Sequence, residues 1–229
     1  MKQKVTWDRF DEHRSHLFHY TVVQNFSFLH SFRQLCSAIE LVALANHYHP
    51  DQIKDPERFL SEPRSRPYFL RVADNVSVVL NDQAPICNGQ LGKYFEDGWD
   101  TSRYTAFLNG MVFLYAGREN GAEGEIYRSF QQKHRQIHGT DCRLIRISIA
   151  EFRACNPVIQ WRFCKTNSGG GQARGRVLRG PSLFHSLEWF DSVHDLNEVV
   201  FAERVKLPRQ VHYQRPDYSW GLIEEALNG

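Results

Sequence analysis

The chain has 229 residues, 41% of them hydrophobic, 24% charged and 13% aromatic, with a formal charge of +2. That balance excludes a wholly disordered chain and specifies a folded domain that buries roughly 70–75% of its unfolded surface. The small net charge does not mark a general nucleic-acid binder, so only local basic clusters bear on that question. Five cysteines, at 36, 87, 142, 155 and 164, form no Cys-x-x-Cys pair and leave an odd count. They signal neither a disulfide framework nor a zinc site, and a reducing cytoplasm is the natural location. The opening Met1-Lys2-Gln3-Lys4-Val5-Thr6-Trp7 lacks the apolar core of a signal peptide. No run of 18 apolar residues suits a membrane span.

In chain order, residues 8–19 read as a short polar helix or an irregular arm. Residues 20–29 carry β-branched and aromatic side chains, with alternation at Phe26-Ser27-Phe28, which predicts a strand. Apolar spacings of three and four predict a helix over 32–47. Four prolines at 50, 56, 63 and 67 mark a long loop with one helical turn. Segments 68–72 and 76–80 form a hairpin about Ala73-Asp74-Asn75. Residues 88–107 are helical in part, 111–115 a buried strand, and 121–138 a surface helix with Arg128, Lys133, His134 and Arg135. Strands follow at 142–149 and 158–163, and then a Gly- and Arg-rich loop at 165–180. A strand at 198–205 and a small helix at 222–227 complete the pattern. Many short strands and few long helices predict an α+β fold. It forms one domain over 1–229, with an N-terminal arm at 1–19 and a C-terminal tail at 212–229.

Three segments carry candidate chemistry. Glu198 heads an apolar, β-branched run, Glu198-Val199-Val200-Phe201. An acidic residue at a strand end is commonly solvated. If it faces a dry cleft, it stabilises positive charge developing in a transition state. His30 follows Phe28-Leu29, where a packed or capping role competes with hydrogen bonding to a ligand. Gln83 lies in Asn81-Asp82-Gln83-Ala84-Pro85, ordinary turn chemistry that also offers an amide donor and acceptor. The glycines at 169–171 lack the order of a phosphate-binding P-loop. Arg174, Arg176 and Arg179, with Lys133 and Arg135, are either a solvated surface or, alongside Trp161, Phe163, Trp189 and Phe190, a single-strand binding face. His13, His16 and His19 fall at helical spacing without a completing Cys or carboxylate, so no metal is expected. No Gly-x-Ser-x-Gly turn points to a serine hydrolase.

Phe28-Leu29-His30-Ser31 with Leu35-Cys36-Ser37-Ala38-Ile39 resembles the His-x-Thr and Asn-Leu-x-x-Ile elements of DarT-type ADP-ribosyltransferases. The segment 79–86 resembles their Arg-Ser-Pro-Met region, with Gln83 in place of the arginine. Asn197-Glu198-Val199-Val200 and Pro208-Arg209-Gln210-Val211 resemble their Ala-Glu-Val-Leu-Val strand and the segment behind it. An uncharacterised bacterial family with a similar core is matched more closely by Asp82-Gln83-x-Pro85, Leu108-Asn109-x-x-Val112-Phe113, Asn167-Ser168-Gly169 and Arg179-Gly180-x-x-x-Phe184. Together these motifs span residues 28–211. Ser31-Phe32 departs from the His-x-Thr pattern. Gln83 brings no positive charge, which either weakens pyrophosphate binding or moves that task to Arg64, Arg66 or Arg179, each of which is otherwise a solvated loop arginine.

The resemblance implies two small packed antiparallel or mixed sheets forming an NAD cleft, flanked by helices. It implies NAD as substrate, with Glu198 and Gln83 catalytic. Dinucleotide contacts fall to His30, Ser31, Gln83, Tyr115, Asn167 and Ser168; the Tyr115 ring either stacks on nicotinamide or is an ordinary core tyrosine. It implies a toxin like the CmdT-like phage-defence enzymes, acting on a base of single-stranded RNA or DNA through Arg174, Arg176, Arg179, Lys133 and Arg135, and an antitoxin partner. A protein acceptor, NAD hydrolysis, and a degraded transferase fold that only binds nucleotide or protein are the alternatives.

Overall fold

A computed structural model describes residues 4–83, 86, 94–117, 141–166, 168 and 177–228. The helix expected at 121–138 and most of the Gly-rich loop lie outside the described residues.

The chain opens with α1 (Trp7–His13), capped by the Thr6 hydroxyl accepting from Arg9 N–H, and β1 (His16–Val22). Then come α2 (Phe26–Phe32), β2 (Gln34–Cys36) and α3 (Ala38–Tyr48). In Ser37-x-x-Glu40 the serine hydroxyl accepts from Glu40 N–H at 3.3 Å, which fixes the start of α3. Asp55 and Pro56 start α4 (Pro56–Ser61) in the same manner. The hairpin β3 (Tyr68–Ala73) and β4 (Val76–Leu80) turns through Asn75 at φ 58°. Next are α5 (Thr101–Asn109), capped by Asp100, β5 (Met111–Gly117), β6 (Cys142–Ser148) and α6 (Ile149–Cys155). The remaining elements are β7 (Arg162–Cys164), β8 (Glu198–Ala202), β9 (Arg204–Lys206), β10 (His212–Gln214), β11 (Trp220–Leu222) and α7 (Ile223–Leu227).

The fold is mixed α+β. Seven strands form one antiparallel sheet in the order β11-β10-β6-β1-β5-β8-β7, and β2–β9 and β3–β4 are two-stranded ribbons. This corrects the expected pair of small packed sheets. β6 pairs with all seven residues of β1, whereas β5 pairs only with His16, Leu17 and Phe18. Beyond Phe18 the sheet forks between β1 and β5.

Alternation divides the sheet's side chains. Leu17, Val112, Leu114, Ile145, Ile147, Val199 and Phe201 enter the main core on one face, with Phe10, Phe26, Leu70 and Phe152 packed among them. Phe18, Tyr20, Val22, Cys142 and Leu144 form a smaller cluster on the other. Trp161, 1% exposed, packs between Phe152 and Phe201 with ring centroids at 5.5 and 5.4 Å. Buried Asn156 ties α6 to β9: its amide donates to Phe152 O and Lys206 O and accepts from Lys206 N–H.

Several sequence expectations are revised. The strand expected at 20–29 lies earlier, at 16–22, and Phe26 onward is helical. The spacing of Phe28 and Phe32, whose rings stack at 4.7 Å, decides the period, and Arg33 at φ 51° ends the helix. The helix expected from 32 starts only after Ser37, because 34–36 pair with β9. The strand expected at 198–205 is broken by Glu203, at φ 60°, which passes the chain from the large sheet to the β2–β9 ribbon. The arm at 1–19 and the tail at 212–229 are structural: β1, β10 and β11 belong to the sheet. No helix among the described residues is long and apolar enough to cross a membrane.

Candidate active site

Strand register assembles the site. Leu114 faces Val199, so the next pair along is Tyr115 and Glu198, and Glu198 in turn faces Cys164 on β7. Phe18 faces Tyr115 from β1. Phe18, Tyr115, Glu198 and Cys164 therefore form a row on one sheet face, at the root of the fork.

Glu198 is 2% exposed. Ser168 N–H donates to its Oε2 at 3.0 Å, and the Ser168 and Tyr115 hydroxyls also donate to the carboxylate. Burial is the largest influence on its proton and pushes the carboxyl up to about 7, against the opposing pull of these donors and the Arg179 charge. Burial raises the Cys164 thiol to about 11, helped by Glu198, so this cysteine is a protonated neighbour rather than a nucleophile. Burial also raises Tyr115, with Glu198 adding to the effect. A carboxyl poised near neutrality, in a dry setting with fixed donors, is equipped for proton transfer or for stabilising a cation.

Arg179, 1% exposed, is placed by backbone pairing: its N–H donates to Tyr94 O at 2.6 Å and its carbonyl accepts from Glu96 N–H at 3.1 Å. Its Nη1 donates to Thr166 Oγ1 at 3.0 Å. Gly180 follows because a Cβ there would lie 2.3 Å from Glu96 Cδ.

The structure thus brings together Glu198, Tyr115, Ser168 and Arg179. It places the other candidates elsewhere. His30 and Ser31 are exposed on α2, not at a strand end. Gln83 is engaged at both ends of its amide: Oε1 accepts from Arg64 N–H at 3.2 Å, and Nε2 donates to Asn109 Oδ1 at 3.1 Å. Arg64 also donates to Asn109 Oδ1, at 3.1 Å. Asn109 precedes β5, whose Met111 and Tyr115 are about 13 Å apart by strand rise. Gln83 is therefore anchored toward the opposite end of β5 from Glu198. Asn167, Arg174, Arg176, Lys133 and Arg135 lie outside the described residues. Trp161, Phe163 and Phe190 are buried core, which removes them from the expected single-strand face; Trp189 is 52% exposed. The histidines read at helical spacing are divided, with His13 on α1 and His16 and His19 on β1.

Two further residues emerge: His19, read in the sequence only as one of three histidines at helical spacing, and Tyr104, which the sequence reading did not single out. His19 lies where β1 and β5 part, and its Nδ1 is 2.9 Å from Phe113 O. A carbonyl only accepts, so Nδ1 carries the proton. Burial lowers the imidazole's affinity for a second one, opposed by that same bond, so the ring is neutral with Nε2 as an acceptor. Phe113 is two residues, about 7 Å, along β5 from Tyr115, and His19, which faces Ile145, leaves β1 on the face opposite to Phe18 and Tyr115. Tyr104 of α5 is the second. Fully buried, it donates from its hydroxyl to Ser168 O at 2.9 Å.

Among known protein families, residues 15–211 match DUF7002, described as a family of unknown function. No curated protein and no solved structure matches the chain.

Proposed function

For a chain that belongs to DUF7002, a family of unknown function, we propose an NAD-dependent ADP-ribosyltransferase activity centred on Glu198. The observation that carries this reading is the carboxyl itself. It is buried at a strand head, held near neutral pKa, and set beside the Tyr115 hydroxyl at the fork of the sheet.

In this reading the ribose hydroxyls of NAD hydrogen-bond Glu198 alongside the Ser168 donors. The bond from nicotinamide to ribose C1′ breaks, and its electron pair leaves with nicotinamide. The carboxylate stabilises the oxocarbenium left behind. A nucleophile on the acceptor then gives its lone pair to C1′ and passes its proton to Glu198. His19, through Nε2, accepts from a nucleotide hydroxyl, the task the resemblance assigned to His30. Arg179 supplies the positive charge that Gln83 lacks. The acceptor proposed is a base in single-stranded RNA or DNA, as in the DarT-type enzymes the motifs resemble, with a toxin's antitoxin as partner.

A second reading is favoured by one observation: both ends of the Gln83 amide are committed to Arg64 and Asn109. A transferase fold that has lost catalysis, and only binds a nucleotide or a protein, would use Gln83 in this way. Nicotinamide release from NAD, measured with and without RNA and single-stranded DNA, separates the two. Release that depends on Glu198 supports the enzyme. No release under any condition, by protein that binds NAD, supports the binding module.

A further inference from the structure

We propose that Tyr104 is a positioning residue for Glu198. By donating to the Ser168 carbonyl, its hydroxyl holds Ser168 so that the serine's N–H and hydroxyl stay directed at the carboxylate.

Ser168 is held on both of its backbone groups. Its carbonyl accepts from Tyr104 Oη at 2.9 Å and its N–H donates to Glu198 Oε2 at 3.0 Å. The residue has little freedom to turn away, since Ser168, Tyr104 and Glu198 are 2%, 0% and 2% exposed. Tyr104 is itself braced. Arg179 hydrogen-bonds its phenol oxygen, and the same guanidinium bonds Thr166 Oγ1 at 3.0 Å, two residues before Ser168. The Phe95 ring lies 5.6 Å from the Tyr104 ring. Donors therefore run in one direction, from the Arg179 cation through the Tyr104 hydroxyl to Ser168, and from Ser168 to the carboxylate. In a low-dielectric interior such a sequence reinforces each member.

The groups facing Glu198 come from every neighbouring element: Tyr115 from β5, Cys164 from β7, Ser168 and Arg179 from the segments beyond β7, and Tyr104 from α5, a neutral phenol that feels the Glu198 charge. Tyr115 and Arg179 act on the carboxylate directly. Tyr104 donates to Ser168 rather than to Glu198, so its influence as a donor is exerted through Ser168.

Removing the phenol oxygen loosens Ser168, weakens two donors to the charged carboxylate, and raises the carboxyl's pKa. The test is Tyr104→Phe, read by carbon NMR titration of the Glu198 carboxyl. An upward shift of about half to one unit is expected, a hydrogen bond being worth about 1 kcal/mol and one unit 1.36 kcal/mol. An unchanged or lowered midpoint in a folded variant overturns the proposal. If the variant does not fold, the wild-type Ser168 amide decides: at least 100-fold protection against hydrogen exchange supports the brace, and free exchange overturns it. The positioning role in catalysis rests on the transferase reading. There the limb of kcat/KM for NAD cleavage that reports Glu198 in the free enzyme moves upward with the NMR midpoint. A shifted midpoint in protein that never cleaves NAD supports the brace and overturns the activity.

Discussion

Replacing Glu198 by Gln tests the burial of this carboxyl and its chemistry in one protein. The carboxyl ordinarily titrates at 4.5 and is raised to about 7 in the fold, mainly by burial. A raised acid favours the folded state when protonated. Its contribution is fully present below pH 4.5 and is lost as pH rises through 7. A difference of 2.5 units corresponds to about 3 kcal/mol of stability lost between pH 4 and pH 8.5. Glutamine keeps the size and an acceptor oxygen for Ser168 N–H and has no proton to lose. Urea unfolding of both proteins across that range isolates the group, because every other titrating residue is common to the pair. The stability difference should move by about 3 kcal/mol in favour of Glu198→Gln as pH rises. Curves that stay parallel within about 1 kcal/mol refute the buried-acid argument. NAD cleavage by the same variant should fall about 10²–10³-fold, the effect of losing one group aimed at transition-state charge. Wild-type turnover would remove Glu198 from the chemistry and leave the stability argument standing.

His19→Ala should weaken NAD binding about tenfold, as one hydrogen bond is removed, whereas His30→Ala leaves it unchanged; calorimetric titration of both variants checks the assignment, and the reverse ranking restores His30. Gln83→Ala should cost about 1–2 kcal/mol in urea unfolding through its two lost hydrogen bonds, while NAD cleavage per folded molecule persists. Lost cleavage at unchanged stability would return Gln83 to the catalytic site. Asn156→Ala leaves the Lys206 N–H and C=O without the side-chain bonds that join α6 to β9, and should cost about 2–4 kcal/mol by thermal or chemical unfolding, with no effect on the pH dependence assigned to Glu198.

Local chemistry made part of this molecule legible. The hairpin about Asn75, the α4 turn after Asp55-Pro56 and the buried strand from Met111 were readable because turn residues, caps and β-branched runs act over a few positions. Glu198 was readable as a charge heading an apolar strand, whereas its approach to Tyr115, Ser168 and Arg179 depends on strand register and on contacts far apart in the chain. The failures arose where distant contacts decide. Tyr20-Thr21-Val22 was recognised as strand chemistry, but its pairing with 142–144 set the start of β1 earlier and released 26–32 to a helix. The displaced boundary carried His30 to the strand end and left His19 in an arm. The part played by Tyr104 depends on a contact 64 residues away with Ser168, which no local pattern records.

The strand order also bears on how the chain reaches this state. β1, the earliest strand in the sequence, lies in the middle of the seven-stranded sheet, between β5 and β6. Its nearer partner begins at Met111 and its fuller one at Cys142. During synthesis at roughly 5–20 residues per second, both edges of β1 await partners for several seconds. Leu17, Phe18, Tyr20 and Val22 are all at most 9% exposed in the finished sheet and are open to solvent or to other chains until then. Pairings this far apart in sequence make folding slow, and an uncovered apolar strand is a template for aggregation. Yield from rapid overexpression should therefore depend on temperature and on chaperones that shield the emerging N-terminal segment.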